Sequence, residues 1–298
     1  MALKIVRAAD PILVEQIVLV LYGAPGLGKS TLGFSSAAPL LLDFDRGAYR
    51  AAIRGDSVQV DSWDDVTGIT AEDLAPYKTI IADTAGRALD FLTADIIKRN
   101  PKHGKGGALT LQGYGALKSG FTAWLKMLRT MGKDVVLIAH ASEEKNGDDM
   151  VERLDVQGGS KGEIYKSADA MGRLMLVSGK RVLNFSPTDT AFGKNPANLQ
   201  PLMVPEIATA PHFLAEVIAA IKEKLNSLSE VQKQRQSMVA DWLAKLDEAK
   251  SAEDFNRLVT DVRQADKEIQ PVVKGALHKA ATEAGYTYDK TAGYVGAA

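Results

Sequence analysis

The feature that most constrains this chain is a glycine-rich turn that joins an apolar run to a helix-forming segment, within residues 17–31. An apolar run rich in β-branched residues precedes the pattern Gly23-x-x-x-x-Gly28-Lys29-Ser30. Glycines in such a turn let backbone N–H groups point inward at the start of a helix, where the helix dipole also favours negative charge. The strand-turn-helix context predicts a phosphate-binding loop, and therefore a nucleoside triphosphate as ligand.

Each part of this loop has an expected task. The Lys29 side chain should reach the β- and γ-phosphates, and the Ser30 hydroxyl should ligate Mg²⁺. The alternative is a glycine-rich turn that binds nothing. The residues predicted to contact the nucleotide are Gly23, Ala24, Pro25, Gly26, Leu27, Gly28, Lys29, Ser30 and Thr31.

Composition narrows the class of protein. The 298 residues are 46% hydrophobic, which suits one large domain or a domain with an appendage. The net charge of −1 gives no global basic field, so any nucleic-acid contact has to come from local loops. The absence of cysteine excludes disulfides and thiolate metal sites, and the four histidines show no zinc-ligand spacing. No apolar run approaches the roughly 18 residues that cross a bilayer, which predicts a soluble cytoplasmic protein.

Beyond the loop, three short apolar runs each end in a polar side chain, as buried parallel strands with a site at their C-terminal ends do. Two further apolar runs, 173–177 and 181–185, flank Ser178-Gly-Lys180 and predict an antiparallel hairpin at a sheet edge. The fold class predicted is α/β, with a mostly parallel sheet flanked by helices. The three parallel runs are 40–45, 79–83 and 135–140, and the helices predicted between them include 87–99 and 116–131.

The second half of the chain changes character near residues 187–205, where Asn, Pro and Gly accumulate without periodicity. We therefore predict a nucleotide-binding domain at 1–204 and a helical module at 205–298. The module is mildly acidic and has apolar stripes at helical spacing, with Ser251 placed to cap one of its helices. Its last residues, 285–298, are rich in Gly, Tyr and Ala and are predicted to be disordered.

Asp83 ends one of the predicted strands, where a Walker B aspartate would hold Mg²⁺. The alternative is an aspartate that only caps the next helix. The segment Asp83-Thr-Ala-Gly86 also fits the Asp-x-x-Gly motif of GTPases. However, the guanine-reading motif Asn/Thr-Lys-x-Asp is missing after the strand that ends at His140, so the sequence favours ATP over GTP.

Two more strand ends carry candidate catalytic residues. Asp45 is the candidate that orients the attacking water, with Asp43 as the competing choice, and an ion pair of either with Arg46 or Arg50 as the structural alternative. Aspartate is a methylene shorter than glutamate, which predicts slow turnover. His140 is placed to contact the γ-phosphate and sense its loss, or else to be a satisfied buried histidine.

Taken together, five segments resemble RecA-fold ATPases, and most closely the phage-encoded RecA/RadA-like P-loop ATPases of the Sak single-strand annealing type. The resemblance covers roughly residues 15–200. The segments that carry it are Gly23–Thr31, Leu42–Gly47, Ile80–Asp83, Leu137–His140 and Gly158–Asp169.

The resemblance implies an ATP- and Mg²⁺-dependent protein that binds single-stranded DNA and promotes annealing or recombination. It also implies a ring or filament of identical subunits, a single-strand-binding protein as a further partner, and the cytoplasm of a bacterial host as the location. Hydrolysis is expected to be slow and modulated by DNA.

The charges of two loops disagree about where DNA would bind. The segment after His140 is acidic and would repel phosphates, whereas residues 98–107 are basic and glycine-rich and have Tyr114 as the nearest stacking ring. Lys98, Arg99, Lys102 and Lys105 are therefore the candidate DNA contacts, with a solvated surface loop as the alternative. Lys161 and Lys166 lie where relatives project a cation into a neighbour's ATP site, and Arg173 and Arg181 are weaker candidates.

Two other classes of function compete with this interpretation. A loader or remodelling ATPase would dock a replication or recombination protein through the helical tail and would never touch DNA through its acidic loop. A small-molecule phosphotransferase is disfavoured, because no arginine-rich lid or acceptor pocket is recognisable in the sequence.

Overall fold

The computed structural model describes residues 13–147, 149–156, 160–267, 269–289 and 292–296. The chain divides into two compact units. One is Val14–Leu225, and the other holds Asn226–Ala298. Each is described by itself below.

The first unit alternates strands and helices along the chain. Its strands are β1 Val18–Gly23, β2 Pro39–Asp43, β3 Ser57–Gln59, β4 Thr79–Asp83, β5 Gly104–Lys105, β6 Ala108–Leu109, β7 Asp134–Asn146, β8 Asp149–Leu154, β9 Ala170–Val177, β10 Lys180–Asn184 and β11 Leu202–Met203. Its helices are α1 Lys29–Gly33, α2 Trp63–Thr67, α3 Ala85–Arg99, α4 Leu111–Thr130, α5 Ser160–Ser167 and the start of α6 Phe213–Glu248.

One large sheet organises this unit, with the strand order β11-β10-β9-β1-β7-β4-β2-β3 in the part of the chain that is described. The strands from β9 to β3 run parallel. β10 pairs antiparallel with β9, and β11 with β10. The predicted α/β fold class is confirmed: the core has a mostly parallel sheet, flanking helices and antiparallel strands at one edge.

Both faces of the sheet are covered, which explains why its central strands read as continuous apolar runs. Successive side chains of a strand point to opposite faces. Val18 and Val20 therefore belong to one apolar cluster together with Phe121 and Trp124, and Leu19 and Leu21 belong to another. All six residues of β1 are buried, so the phosphate-loop segment begins from a rigid base.

The predicted hairpin is present, because β9 and β10 are joined by Ser178 and Gly179, both at positive φ (50° and 77°). Two-residue turns of this kind match the twist of the strands that they connect. The acidic segment after His140 differs from expectation. β7 continues to Asn146 and pairs antiparallel with β8, so that the expected loop is a β-hairpin.

The division between the units lies inside α6, later than the predicted limit at residue 204. The first turns of α6 place Leu214, Val217, Ile218 and Ile221 in the apolar cluster on one face of the sheet. This packing ties the beginning of the helix to the nucleotide-binding unit, although the composition changes earlier.

The second unit contains α7 Ala252–Gln264, α8 Gln270–Glu283 and the hairpin strands β12 Tyr286–Asp289 and β13 Gly293–Gly296. Ser251 caps α7 through a capping box with Asp254, as its position in the sequence predicted. A core that includes Phe255, Val262 and Leu277 also buries Tyr294 of β13. The prediction of disorder for 285–298 therefore fails for residues 286–289 and 293–296, since a tyrosine side chain ties the hairpin to this core.

Candidate nucleotide-binding site

The glycine-rich segment turns between the end of β1 and the start of α1 and has the backbone conformation that its glycines allow. Gly26 and Gly28 have φ of 79° and 83°, which L side chains rarely adopt. A Cβ at Gly28 would also lie 2.9 Å from Arg181 Nη1. Gly28 is therefore required by its backbone conformation, since the flexible end of the arginine side chain could shift.

Lys29 is buried at the first position of α1, and its ammonium group is held by the loop itself. Nζ donates to the carbonyl oxygens of Gly23 at 2.9 Å and Ala24 at 2.8 Å. Burial lowers the pKa of Lys29 to about 8, and the negative charge of Asp83 partly opposes that shift. The ammonium group is thus held next to the turn where phosphates would bind. The hydrogen bonds that a phosphate would replace there are the two to Gly23 and Ala24.

Ser30 and Asp83, the two predicted Mg²⁺ ligands, are brought together from α1 and the end of β4. Ser30 Oγ donates to Asp83 Oδ2 at 2.5 Å. Burial raises the pKa of Asp83 to about 6, the hydrogen bond from Ser30 lowers it, and the charges of Asp45 and Asp43 raise it further. A hydroxyl and a carboxylate at this spacing form the oxygen-only donor set that Mg²⁺ prefers.

Asp43 and Asp45 have different environments. Asp43 is buried, and its two carboxylate oxygens accept the backbone N–H groups of Gly47 at 2.8 Å and Ala48 at 2.9 Å. Asp45 accepts from Gly47 N at 3.0 Å and lies 3.5 Å from Arg50 Nη2. Asp45 lines the pocket described below, whereas Asp43 shapes the turn beneath it.

The ion-pair alternative holds only in part. Arg50 approaches Asp45, whereas Arg46 pairs with Asp61. The Arg50 side chain is 60% exposed, so the pair with Asp45 lies in solvent-screened surroundings and leaves the carboxylate available.

His140 lies on β7 at the position that pairs with Gly23 of the loop. Its Nδ1 is buried and has no hydrogen-bond partner among the described residues. Burial lowers the pKa of His140, and the charge of Lys29 adds to the shift. The imidazole is therefore neutral near pH 7, and its unpartnered buried nitrogen is the kind of group that a ligand or a water satisfies.

These side chains surround one pocket of about 300 Å³. An adjoining pocket of about 320 Å³ shares Asp45 and His140 and adds Thr84, Arg87, Asp90 and Asp155. A backbone cradle at Gly26 and Gly28, a buried ammonium, and a serine–aspartate oxygen pair fit a nucleoside triphosphate with Mg²⁺. The first pocket is lined by Pro25, Gly26, Gly28, Lys29, Ser30, Thr31, Asp45, Gly47, Arg50, Ala51, Asp83, Ile138 and His140.

Three of the residues predicted to contact the nucleotide hold the loop in place and do not line the pocket. Gly23 and Ala24 accept from Lys29 through their carbonyl oxygens, and Leu27 packs against an apolar cluster of the sheet. Arg50 and Ala51 line the pocket but were not predicted to do so, because they follow a turn whose path depends on Asp43.

Arg181 lies beside the phosphate loop of its own chain, and its action on a neighbouring subunit stays a prediction. Its guanidinium donates to Pro205 O at 3.1 Å and lies 3.5 Å from Glu206. Arg173 pairs with Glu152 and is half-buried. Lys166 is exposed and pairs with Glu163 at 3.2 Å, while the side chain of Lys161 lies outside the described part of the chain.

The candidate DNA contacts lie on one connected segment, from the last turn of α3 to the hairpin β5–β6. Arg99 pairs with Asp95 at 2.8 Å and Asp64 at 2.6 Å. Lys98, Lys102 and Lys105 are exposed, and none of them forms an ion pair within the described residues. Nearby on the chain, α4 begins with Leu111 and Tyr114, which are 91% and 40% exposed.

Together, the loop, the buried lysine and the Ser30–Asp83 pair define a P-loop ATPase. The chain belongs to the family described as AAA domain, whose model matches residues 15–197. P-loop ATPases of this kind use ATP and Mg²⁺. No curated protein sequence matches the chain.

Among solved structures, the chain is similar to the KaiC-like protein PH0186 from the hyperthermophilic archaeon Pyrococcus horikoshii OT3. The two share 12% sequence identity, with 57% of this chain and 78% of that chain covered and a TM-score of 0.33. In addition, the described helices include none that is long and apolar enough to cross a membrane.

Proposed function

We propose that this protein is an ATP- and Mg²⁺-dependent ATPase that binds single-stranded DNA and promotes annealing or recombination, as phage-encoded proteins of the Sak type do. One observation supports the DNA part most directly. The unit that contains the ATP pocket also presents Lys98, Lys102 and Lys105, three exposed cations with no ion-pair partner among the described residues. They lie on a segment that leads to the exposed ring of Tyr114.

Each residue of the pocket has its own role in ATP hydrolysis. Lys29 and the backbone of the loop bind the phosphates, and Ser30 with Asp83 holds Mg²⁺, which would neutralise charge on the departing phosphate. Asp45 orients the attacking water and accepts its proton. Neutral His140 has one N–H to donate toward the terminal phosphate, and its other ring nitrogen is free to accept.

The basic segment would bind DNA mainly through phosphates. Lysines that track a flexible backbone give affinity without sequence preference, and an exposed aromatic ring adds base stacking. Such binding is weakened by salt because cations are released from the strand when the lysines replace them. The acidic hairpin β7–β8 would keep the strand away from its own side of the unit.

The test compares two double variants of the full chain. Lys102→Ala/Lys105→Ala removes two of the proposed contacts, and Lys78→Ala/Lys126→Ala removes two exposed lysines elsewhere on the same unit. The affinity for a fluorescently labelled oligothymidylate of thirty nucleotides is measured by anisotropy at a series of salt concentrations. We expect the first variant to flatten the slope of log affinity against log salt by about 1.4, since each contact with a single strand contributes about 0.7.

The control variant should retain the slope of the unmodified protein. Equal slopes for both variants would remove the basic segment from the proposal. Lys29→Ala should abolish ATP turnover while DNA binding survives. If the protein bound no DNA even at low salt, and DNA left ATP turnover unchanged, the proposed function would be wrong.

A second function is supported by the acidic hairpin, whose exposed Glu143 and Glu144 would repel phosphates. In this alternative the ATPase loads or remodels a replication or recombination protein, which docks on the unit Asn226–Ala298. Annealing that persists after removal of that unit would contradict this alternative. Self-assembly into a ring or filament is part of both proposals and is tested by sedimentation with and without ATP.

A further inference from the structure

The unit Asn226–Ala298 contains a pocket of about 270 Å³ between α7, α8 and the hairpin β12–β13. Its apolar floor is formed by Val259 and Val262 of α7 and by Leu277 of α8. Val262 and Leu277 belong to the core of the unit, so the floor is fixed by packing. A pocket with a rigid floor and a mixed polar rim is the usual form of a small-ligand site.

Three basic residues line this pocket, and no acidic residue of the described part of the unit does. Arg263 is in the last turn of α7, and Lys274 and His278 are one helical turn apart on α8. None of the three forms an ion pair with a carboxylate among the described residues, and Lys274 Nζ has only the neutral Gln270 Oε1 at 3.4 Å. The positive charges of Arg263 and Lys274 repel one another, and an anion bound between them would relieve that repulsion.

Two tyrosines of the hairpin complete the pocket. The Tyr294 side chain is buried, with Oη 3.4 Å from His278 Nδ1. The Tyr288 ring packs edge-to-face on the Tyr294 ring at a centroid distance of 5.1 Å, and Tyr288 remains 44% exposed. An aromatic ring that is fixed by a buried neighbour and still exposed is a surface on which a flat group can stack.

We propose that this pocket binds a nucleotide that carries a terminal phosphate, with its base against Tyr288 and its phosphate among Arg263, Lys274 and His278. A phosphomonoester carries a charge of about −1.5 to −2 near pH 7, and the arginine fork matches the spacing of its oxygens. The rest of this unit carries about as many acidic as basic side chains, so it offers a compact site and not a track along a strand.

An acidic peptide would meet the same three basic residues. The stacking ring favours the nucleotide, since a base has a flat face to place on Tyr288 and an acidic side chain has none. The ligand could be a free nucleotide or the 5′ end of a DNA strand. The pocket lies in a different unit from the ATP loop, and its assignment does not depend on the proposed function.

The test uses the full chain with Lys29→Ala, which removes nucleotide binding at the phosphate loop. Anisotropy is measured with a pentathymidylate that carries a 3′ fluorophore and either a 5′-phosphate or a 5′-hydroxyl. We expect the phosphate form to bind about tenfold more tightly, as charge-assisted hydrogen bonds allow. Adding Arg263→Gln should remove that difference, and Tyr288→Ala should weaken both forms about fivefold or more.

Arg257→Gln is the matched control, because Arg257 is an exposed arginine of the same helix that does not line the pocket. It should bind both probes as the parent does. If thymidine monophosphate displaces the probe at the same concentration as the unlabelled phosphorylated strand, the ligand is a free nucleotide. Much weaker displacement would identify the strand end, and both results support the pocket.

Three results would overturn the proposal. The first is equal binding of the two probes to the Lys29→Ala parent, which is interpreted without any variant of the pocket. The second is identical behaviour of Arg263→Gln and Arg257→Gln. The third is displacement of the probe by a peptide of four aspartates and a C-terminal phenylalanine at a lower concentration than by the phosphorylated strand, which would make the ligand a peptide.

Discussion

Asp43 and Asp45 stand two positions apart at the end of the same strand, yet the fold uses them differently. Asp43 is enclosed by backbone N–H groups of the turn that follows, and Asp45 faces the pocket with His140. The sequence predicted that an acidic residue would lie here, because a polar side chain after a buried run marks the end of a parallel strand. It could not decide between the two, since the path of residues 44–48 settles which carboxylate the backbone captures.

Substituting each aspartate separately tests this difference. Asp45→Asn should lower kcat for ATP by about 10² to 10³, the usual contribution of a positioned base, and leave stability nearly unchanged. Asp43→Asn should reduce the free energy of unfolding by about 1–3 kcal/mol, because one of two charge-assisted acceptors is lost. Turnover assays and denaturant titrations on both variants measure these effects. The reverse pattern, with Asp43→Asn folded but inactive and Asp45→Asn active, would exchange the two roles.

Asp83 affects both catalysis and the free energy of unfolding. Its folded pKa, about 6, lies above its ordinary value of 3.8, so the folded state binds a proton more tightly than the unfolded chain does. The stability contribution of this group is therefore largest in acid and is lost as pH rises from about 4 to 6. Above that range the buried charge costs about 2–3 kcal/mol without a metal ion.

Asp83→Asn should consequently raise the free energy of unfolding by about 1–3 kcal/mol at pH 7.5 and leave it almost unchanged at pH 4. The variant should also lose Mg²⁺-dependent ATP turnover. Denaturant titrations at both pH values, without nucleotide or Mg²⁺, measure the change. Asp189→Asn, at an exposed carboxylate, is the control and should show no such pH dependence. A variant that is less stable than the parent at pH 7.5 would contradict this account of Asp83.

At the scale of elements, the sequence was most informative where apolar pattern and turn chemistry agree. The run that became β4 and the turn at Ser178-Gly179 were predicted at their observed positions. Short or charged strands left no such pattern. Among the side chains of β8 that the structure describes, those of Val151 and Leu154 are buried. Most of the other described residues in the paired part of the hairpin, 141–146 and 149–154, are polar. Its strands are held by backbone pairing, which polar residues form as well as apolar ones.

The elements also bring together residues that are far apart in sequence, and no local pattern could reveal this. Arg181 of β10 lies beside Gly28 because β9 pairs with β1 and β10 pairs with β9. The segment near residue 181 gave only a hairpin signal. The register of three strands places that arginine beside the phosphate loop of its own chain.

At the scale of the whole molecule, the composition changes near residue 204, but the packing of the chain ends the nucleotide-binding unit at Leu225. Residues 187–205 look like a linker because they lack periodicity, but the helix that follows contributes its first turns to the sheet. An amphipathic helix that crosses a boundary shows one continuous pattern, so its sequence does not tell which turns belong to which unit. Buried contacts, rather than composition, put the limit at Leu225.

Two fragments distinguish these limits. Val14–Leu225 retains the helix turns that bury Leu214, Val217, Ile218 and Ile221, and it should unfold cooperatively and bind ATP. A fragment that ends at residue 204 loses four side chains, each worth about 1.5–3 kcal/mol when fully buried. That loss is comparable to the entire stability of a domain, about 5–15 kcal/mol. We therefore expect the shorter fragment to be largely unfolded or aggregated in calorimetry and circular dichroism. If it unfolded as cooperatively as the longer one, the first turns of α6 would belong with the C-terminal unit.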